Sequence, residues 1–248
     1  MRKAVKIGAA ILIVLAVAGA GFIVWAETPL GPMSEALQAL NSDAHVKVTT
    51  GNWLEFQPAN ATTQTGFIFY PGGRVDYRSY APLAHDIASE GYLVIIVRMP
   101  LNLAVFSPNA AQGVIDAHPE IENWVVGGHS LGGSMAAQYV STSPASVKGL
   151  ILLEAYPASG NDLSSKQLTV LTIHGSRDGL VSSAQIDESL KQLPKETIRV
   201  EIIGGNHAQC GWYGSQPGDL DATISREEQQ QQIVSATADF LGRIKLVE

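Results

Sequence analysis

From Gly66 onward, the chain alternates between short unbroken apolar runs and segments whose apolar residues recur every three or four positions. The strand-like runs are Gly66–Tyr70 (GFIFY), Tyr92–Arg98 (YLVIIVR), Trp124–Val126, Lys148–Leu153, Leu168–Ile173 and Ile198–Ile203. Tyr92–Arg98, without polar alternation, predicts a strand covered on both faces, and the others read as further strands. Between them, Tyr80, Leu83, Ala84, Ile87 and Ala88 share one helical face that stops at Gly91. Further helices are predicted over Asn109–His118, Leu131–Val140, Ser183–Leu193 and Glu227–Leu246, the last with Ile233, Thr237, Phe240, Leu241 and Ile244 on one side. Upstream, His45–Thr50 and Trp53–Gln57 form a short hairpin around Gly51-Asn52. A leading hairpin followed by alternating strands and helices predicts an α/β fold: a mainly parallel central sheet with helices on both faces. Such sheets bind ligands beyond the carboxyl ends of their strands.

The N-terminus follows a different rule. Arg2, Lys3 and Lys6 precede an uncharged stretch from Ile7 to Ala26. As a helix this stretch reaches about 30 Å, one hydrocarbon core. One reading is a signal-anchor, with the basic end in the cytoplasm and the following domain outside the cell membrane. The second is a signal peptide cleaved after Val24-Trp25-Ala26, giving a secreted protein; a buried helix of a soluble domain is the third. The chain then divides into 1–26, a linker over 27–44 marked by Pro29, Gly31 and Pro32, and a domain over 45–248. With 248 residues, 46% of them hydrophobic and 16% charged, the chain suits one domain of ordinary size. The net charge of −7, without a long run of one sign, argues against nucleic acid and against docking on anionic lipid. A single cysteine, Cys210, excludes an intrachain disulfide.

Chemistry concentrates around Ser130. Gly128-His129-Ser130-Leu131-Gly132 matches G-x-S-x-G, with a predicted strand running in and a predicted helix running out. That setting is a nucleophile elbow, in which flanking glycines relieve the crowding of a sharp turn. A serine hydroxyl needs a base. Of the six histidines, His207 alone follows the final strand, in a loop freed by Gly204-Gly205. His45, His85 and His118 fall away from strand ends, His129 is the elbow's own variable residue and turns away from the serine, and His174 opens the turn that carries the acid. Asp178, past the penultimate strand, is placed to orient the imidazole; Glu154 and Asp162, past the preceding strand, are its rivals.

The order Ser130, Asp178, His207 and the segments YPGGR, HGSRDGLV and GGNHAQCGWYG resemble the α/β-hydrolase superfamily. The likeness is to its bacterial dienelactone-hydrolase-like branch, with serine in place of that branch's cysteine nucleophile. The resemblance implies a serine hydrolase cleaving carboxylic esters through an acyl-enzyme and needing no cofactor. It implies an oxyanion hole from the Leu131 N–H and a donor after the central strand. Relatives often carry His-Gly there, and this chain has Pro71-Gly72, which leaves Gly73 and Arg74 both open as donors. Arg74, Trp212 and Tyr213 are pocket candidates, the two aromatics equally readable as loop anchors. Cys210 lies on no elbow and reads as packing. The histidines are scattered without metal-ligand spacing, so no metal is expected. The short stretch 154–167 leaves no room for an inserted cap, so an open cleft is expected. Two alternatives use the same residues: an acyltransferase, and a catalytically silent binding protein.

Overall fold

A computed structural model of the chain describes residues 2–142 and 147–244. Eight strands form one sheet: β1 (Val46–Thr50), β2 (Trp53–Pro58), β3 (Thr65–Tyr70), β4 (Leu93–Val97), β5 (Asn123–His129), β6 (Val147–Leu153), β7 (Thr169–Gly175) and β8 (Ile198–Ile202). Their order is β1-β2-β4-β3-β5-β6-β7-β8. The β1–β2 hairpin is antiparallel and joins β4 antiparallel, while every pairing from β3 to β8 is parallel. Every residue of β3 and β4 is buried, as unbroken apolar runs require in a sheet covered on both sides.

The covering helices are α3 (Ala81–Ser89), α4 (Ala110–Ala117), α5 (Leu131–Thr142), α6 (Ser183–Ser189) and α7 (Arg226–Ile244), after α1 (Arg2–Ala26) and α2 (Ser34–Gln38). Two apolar cores result. One joins α3 and α7 to a sheet face through Leu83, Ile87, Phe240 and Leu241, and the other joins α4 and α5 to the opposite face through Val114, Ala136 and Val140. The helix predicted over Ser183–Leu193 ends at Ser189, tightening into a 3-10 turn over Leu190–Gln192 before Pro194. Its start is sealed by a capping box between Ser182 and Gln185. The predicted C-terminal residue of α7, Leu246, lies outside the described residues.

Two features decide what surrounds the strand ends. First, residues 154–168 contain neither helix nor strand, so no cap is inserted after β6. Second, the stretch 27–44, expected as a linker, is packed on the domain. The Leu30 N–H donates to the Arg74 carbonyl at 2.8 Å, the Met33 N–H to the Trp212 carbonyl at 2.8 Å, and Ala36 is fully buried. Before it, α1 projects from the domain with its apolar side chains from Ile7 to Trp25 exposed.

Candidate active site

Ser130 sits where β5 turns into α5, with φ of 52°. A non-glycine residue in that left-handed region stores strain of about 1–3 kcal/mol, held only because its surroundings fix it. The glycines around it have a different duty. A Cβ on Gly128 would collide with the Tyr70 carbonyl oxygen, and one on Gly132 with the carbonyl oxygens of Tyr70 and Pro71. On Gly133 it would lie 2.5 Å from the Ala155 Cβ. The glycines therefore let the elbow press against the end of β3, while the serine itself takes the positive φ.

Asp178 leaves β7 and His207 leaves β8. His207 Nδ1 and Asp178 Oδ2 are 2.7 Å apart, with both side chains shielded from solvent. The other oxygen, Oδ1, accepts the N–H groups of Leu180 and Val181 at 2.6 and 2.7 Å. Burial alone would raise the Asp178 pKa, but the hydrogen bonds from His207, Glu154 and Val181 and the His207 charge outweigh it and hold the carboxyl at about 2. His207 Nε2 has no hydrogen-bond partner among the described residues. The structure thus joins the acid to the imidazole and records no bond from Ser130 to it; in unliganded enzymes that bond is commonly long.

The residues expected beside them divide. On the loop after β3, the Gly72 N–H donates to the Tyr80 hydroxyl at 3.0 Å and the Arg74 N–H to the Asn102 carbonyl at 2.8 Å. Of the two donors left open, this leaves Gly73, whose position faces the Leu131 side chain. The Arg74 side chain is engaged elsewhere. Its guanidinium donates to the carbonyls of Trp25 and Thr28 at 2.8 and 2.7 Å and lies 4.3 Å over the Trp25 ring. It caps the carboxyl end of α1, where carbonyls lack helical partners and cations are favoured.

Trp212 and Tyr213 are buried. The Trp212 N–H donates to the Ser79 carbonyl at 2.7 Å, and the Tyr213 ring packs 6.3 Å from Tyr80. Packing of this kind favours the anchoring alternative. Cys210 is also buried, its thiol pushed up first by burial and then by Glu154. It serves as a packing group, not a nucleophile.

Three participants were not legible beforehand. His129 is fully buried, its ring 4.4 Å from that of His207 and its Nδ1 2.8 Å from the Tyr80 hydroxyl. Tyr80 therefore links the Gly72 loop to the elbow, and the elbow histidine supports the His207 ring. Burial first, and His207 second, keep His129 far below its ordinary pKa, hence neutral. Asp219 is the second participant. Its Oδ1 accepts the Gly179 N–H at 3.0 Å and its Oδ2 the Ala208 N–H at 2.8 Å, clamping the acid loop to the base loop.

Glu154 is the third, in a role other than rival acid. It sits at φ of 46°, 1% exposed, and accepts the Gly175 N–H at 2.6 Å. Its carboxyl, Asp178 and His207 all lie within 4.8 Å of one another. That spacing also suits a cation, and the His207 Nδ1–Asp178 Oδ2 bond occupies one donor atom on each of two of these residues. Burial, then Asp178, push the Glu154 pKa well above its ordinary value, which favours its neutral form beside Asp178.

A carboxyl whose folded pKa is raised stabilises the fold below its unfolded value and loses that contribution as pH rises. Glu154→Gln keeps an acceptor for the Gly175 N–H and cannot ionise. Thermal melts are expected to place this variant above wild type at pH 8, with the gap closing near pH 4.5, the ordinary glutamate value. Ester turnover should change less than about threefold, since an amide keeps the Gly175 hydrogen bond and leaves a neutral group beside Asp178. A gap independent of pH would refute the neutral-acid assignment.

The strand order, the elbow after β5 and the acid–histidine pair beyond β7 and β8 define an α/β-hydrolase architecture. Residues 66–231 match the alpha/beta hydrolase family, and the chain belongs to it. No curated protein matches the sequence. Among solved structures, dienelactone hydrolase from Anabaena variabilis is similar at 14% identity and a TM-score of 0.61, over 81% of this chain and 99% of that one. The esterase domain of a Rhodothermus marinus protein is similar at 11% identity and a TM-score of 0.58, over 79% of this chain and 99% of that one. Carboxylesterase CesB from Bacillus subtilis is similar at 12% identity and a TM-score of 0.56, over 82% and 94%. At such identities the likeness is one of fold.

Proposed function

We propose that the chain is a serine hydrolase that cleaves carboxylic esters through an acyl-enzyme. The observation that carries this reading is Ser130 at φ of 52°, at the carboxyl end of the strands where the 2.7 Å His207–Asp178 pair also lies. Ser130 attacks the ester carbonyl while His207 Nε2 takes its proton. Asp178 holds Nδ1–H and stabilises the imidazolium. The Leu131 and Gly73 N–H groups receive the oxyanion, a term worth about 3–4 kcal/mol per donor at the transition state. His207 then protonates the leaving alcohol, and water, activated by the same imidazole, releases the acid. The carboxylesterase and dienelactone hydrolase among the similar folds agree with this chemistry.

The same reading makes α1 a retained single-pass anchor that leaves the domain outside the cytoplasm. Its support is Ala26, which is fully buried, and the carbonyls of Trp25 and Ala26, which accept from Arg74 and Asn102 at 2.8 and 3.0 Å. Cleavage after Ala26 would strip both partners away. The mass of the protein recovered from membranes tests this: it should include residues 1–26, and a mature chain beginning at Glu27 would contradict it.

For the reaction, rapid acid quench during turnover of p-nitrophenyl butyrate should leave a butyryl group on the peptide containing Ser130. Turnover with no covalent acyl on that peptide would refute the acyl-enzyme. Adding a primary alcohol separates hydrolysis from acyl transfer, because a transferase yields mainly the new ester.

A further inference from the structure

The loop that follows β4 connects the serine to the end of α1. Its turn carries Leu101 and Asn102, both with φ of 54°, a strained pair for non-glycine residues. Two hydrogen bonds hold the strain: the Asn102 carbonyl accepts the Arg74 N–H at 2.8 Å, and Asn102 Nδ2 donates to the Ala26 carbonyl at 3.0 Å. Leu103 comes next, and its side chain and that of Leu131 both border Gly73, the position opposite the elbow. Beyond it, Val105 and Phe106 are 45% and 51% exposed, large apolar side chains that water would normally exclude. Phe106 is not directed at random: its ring stands edge-on to Phe22, 6.2 Å away, in the last turns of the apolar helix Lys6–Ala26.

We propose that the segment 103–106 dips into the outer leaflet of the membrane that holds α1. There it leads amphiphilic esters, carried by that leaflet, along Leu103 to Ser130. The proposal rests on the serine-hydrolase and anchor readings above. Its physical basis is continuity. If α1 spans the bilayer, Phe22 and Trp25 lie at the outer boundary of the hydrocarbon, where aromatic residues anchor such helices. Phe106 touches Phe22 and must share that depth. Arg74 and Asn102 fix the helix end to the oxyanion loop, so the mouth of the site stays within a few side chains of the lipid. Attraction by charge is not available to an acidic domain, so the contact is apolar. A substrate with an acyl chain would move along a path of Phe106, Val105 and Leu103 without entering bulk water.

The test uses the full-length chain reconstituted in phosphatidylcholine vesicles, as wild type and as Val105→Ser/Phe106→Ser. One substrate is water-soluble p-nitrophenyl acetate and the other is p-nitrophenyl palmitate dissolved in the vesicles. The double variant should lose at least about tenfold in kcat/KM on the palmitate, in line with the apolar area withdrawn from lipid. On the acetate it should stay within about twofold of wild type, because neither side chain touches the reacting atoms. Equal losses on both esters, or no loss on the palmitate, would overturn the proposal. An independent readout places an environment-sensitive nitrobenzoxadiazole on Val105→Cys, the buried Cys210 being inaccessible to the label. Quenching by doxyl lipids supports insertion, and quenching by aqueous iodide alone overturns it. Wild type inactive on both esters would instead refute the hydrolase reading, and the fluorescence would still decide the membrane contact.

Discussion

Replacing Ser130 with alanine is expected to lower ester turnover by about a million-fold, to what binding and the oxyanion donors supply alone. The substitution removes one oxygen from a half-buried position, and the chain should fold as before. Circular dichroism and melting curves overlaid on wild type would establish that the loss is chemical. Cys210 cannot take over, being buried and lacking an elbow. A residual rate above about one part in a thousand would mean that another nucleophile does the work.

Asp178→Asn should reduce turnover about ten-thousand-fold while leaving the fold intact. The geometry makes the reason specific. Asp178 Oδ1 accepts two backbone N–H groups, from Leu180 and Val181, so an asparagine must keep its carbonyl oxygen there. Its NH2 is then turned toward His207 Nδ1, which has to accept. The proton moves to Nε2, and a protonated Nε2 cannot take the serine proton. Glu154 does not rescue the variant, because a neutral carboxylic acid bound to the Gly175 N–H holds no charge for the imidazolium. Steady-state kinetics on Asp178→Asn and Glu154→Gln side by side decide between the two acids. Full activity in the first together with collapse in the second would move the acid to the end of β6.

The contrast between these two carboxyls marks where sequence reading stops. Strands β3 to β7 are legible because a strand covered on both faces needs an unbroken apolar run, a local property of the chain. The elbow is legible for the same reason: strand, G-x-S-x-G and helix are contiguous. Glu154 and Asp178, by contrast, both follow strands, and nothing local separates them. What does so is three-dimensional, the 2.7 Å contact with His207 from a different strand. Tyr80 was hidden by its periodicity, since a tyrosine on an apolar helix face looks like core until its hydroxyl is seen between Gly72 and His129. Asp219 sits in a loop with no pattern at all. Arg74, a pocket and oxyanion-donor candidate in the sequence, points elsewhere. Its actual partners, Trp25 and Thr28, lie in another segment of the chain, and only the packing of 27–44 on the domain brings them within reach.

The central claim is that Ser130 is an activated nucleophile, and covalent labelling tests it most directly. Intact full-length protein treated with a fluorophosphonate should gain a single adduct that maps to Ser130. His207→Ala should label far more slowly, and Ser130→Ala not at all. No adduct on folded wild type, or equal labelling of Ser130→Ala, would contradict the account.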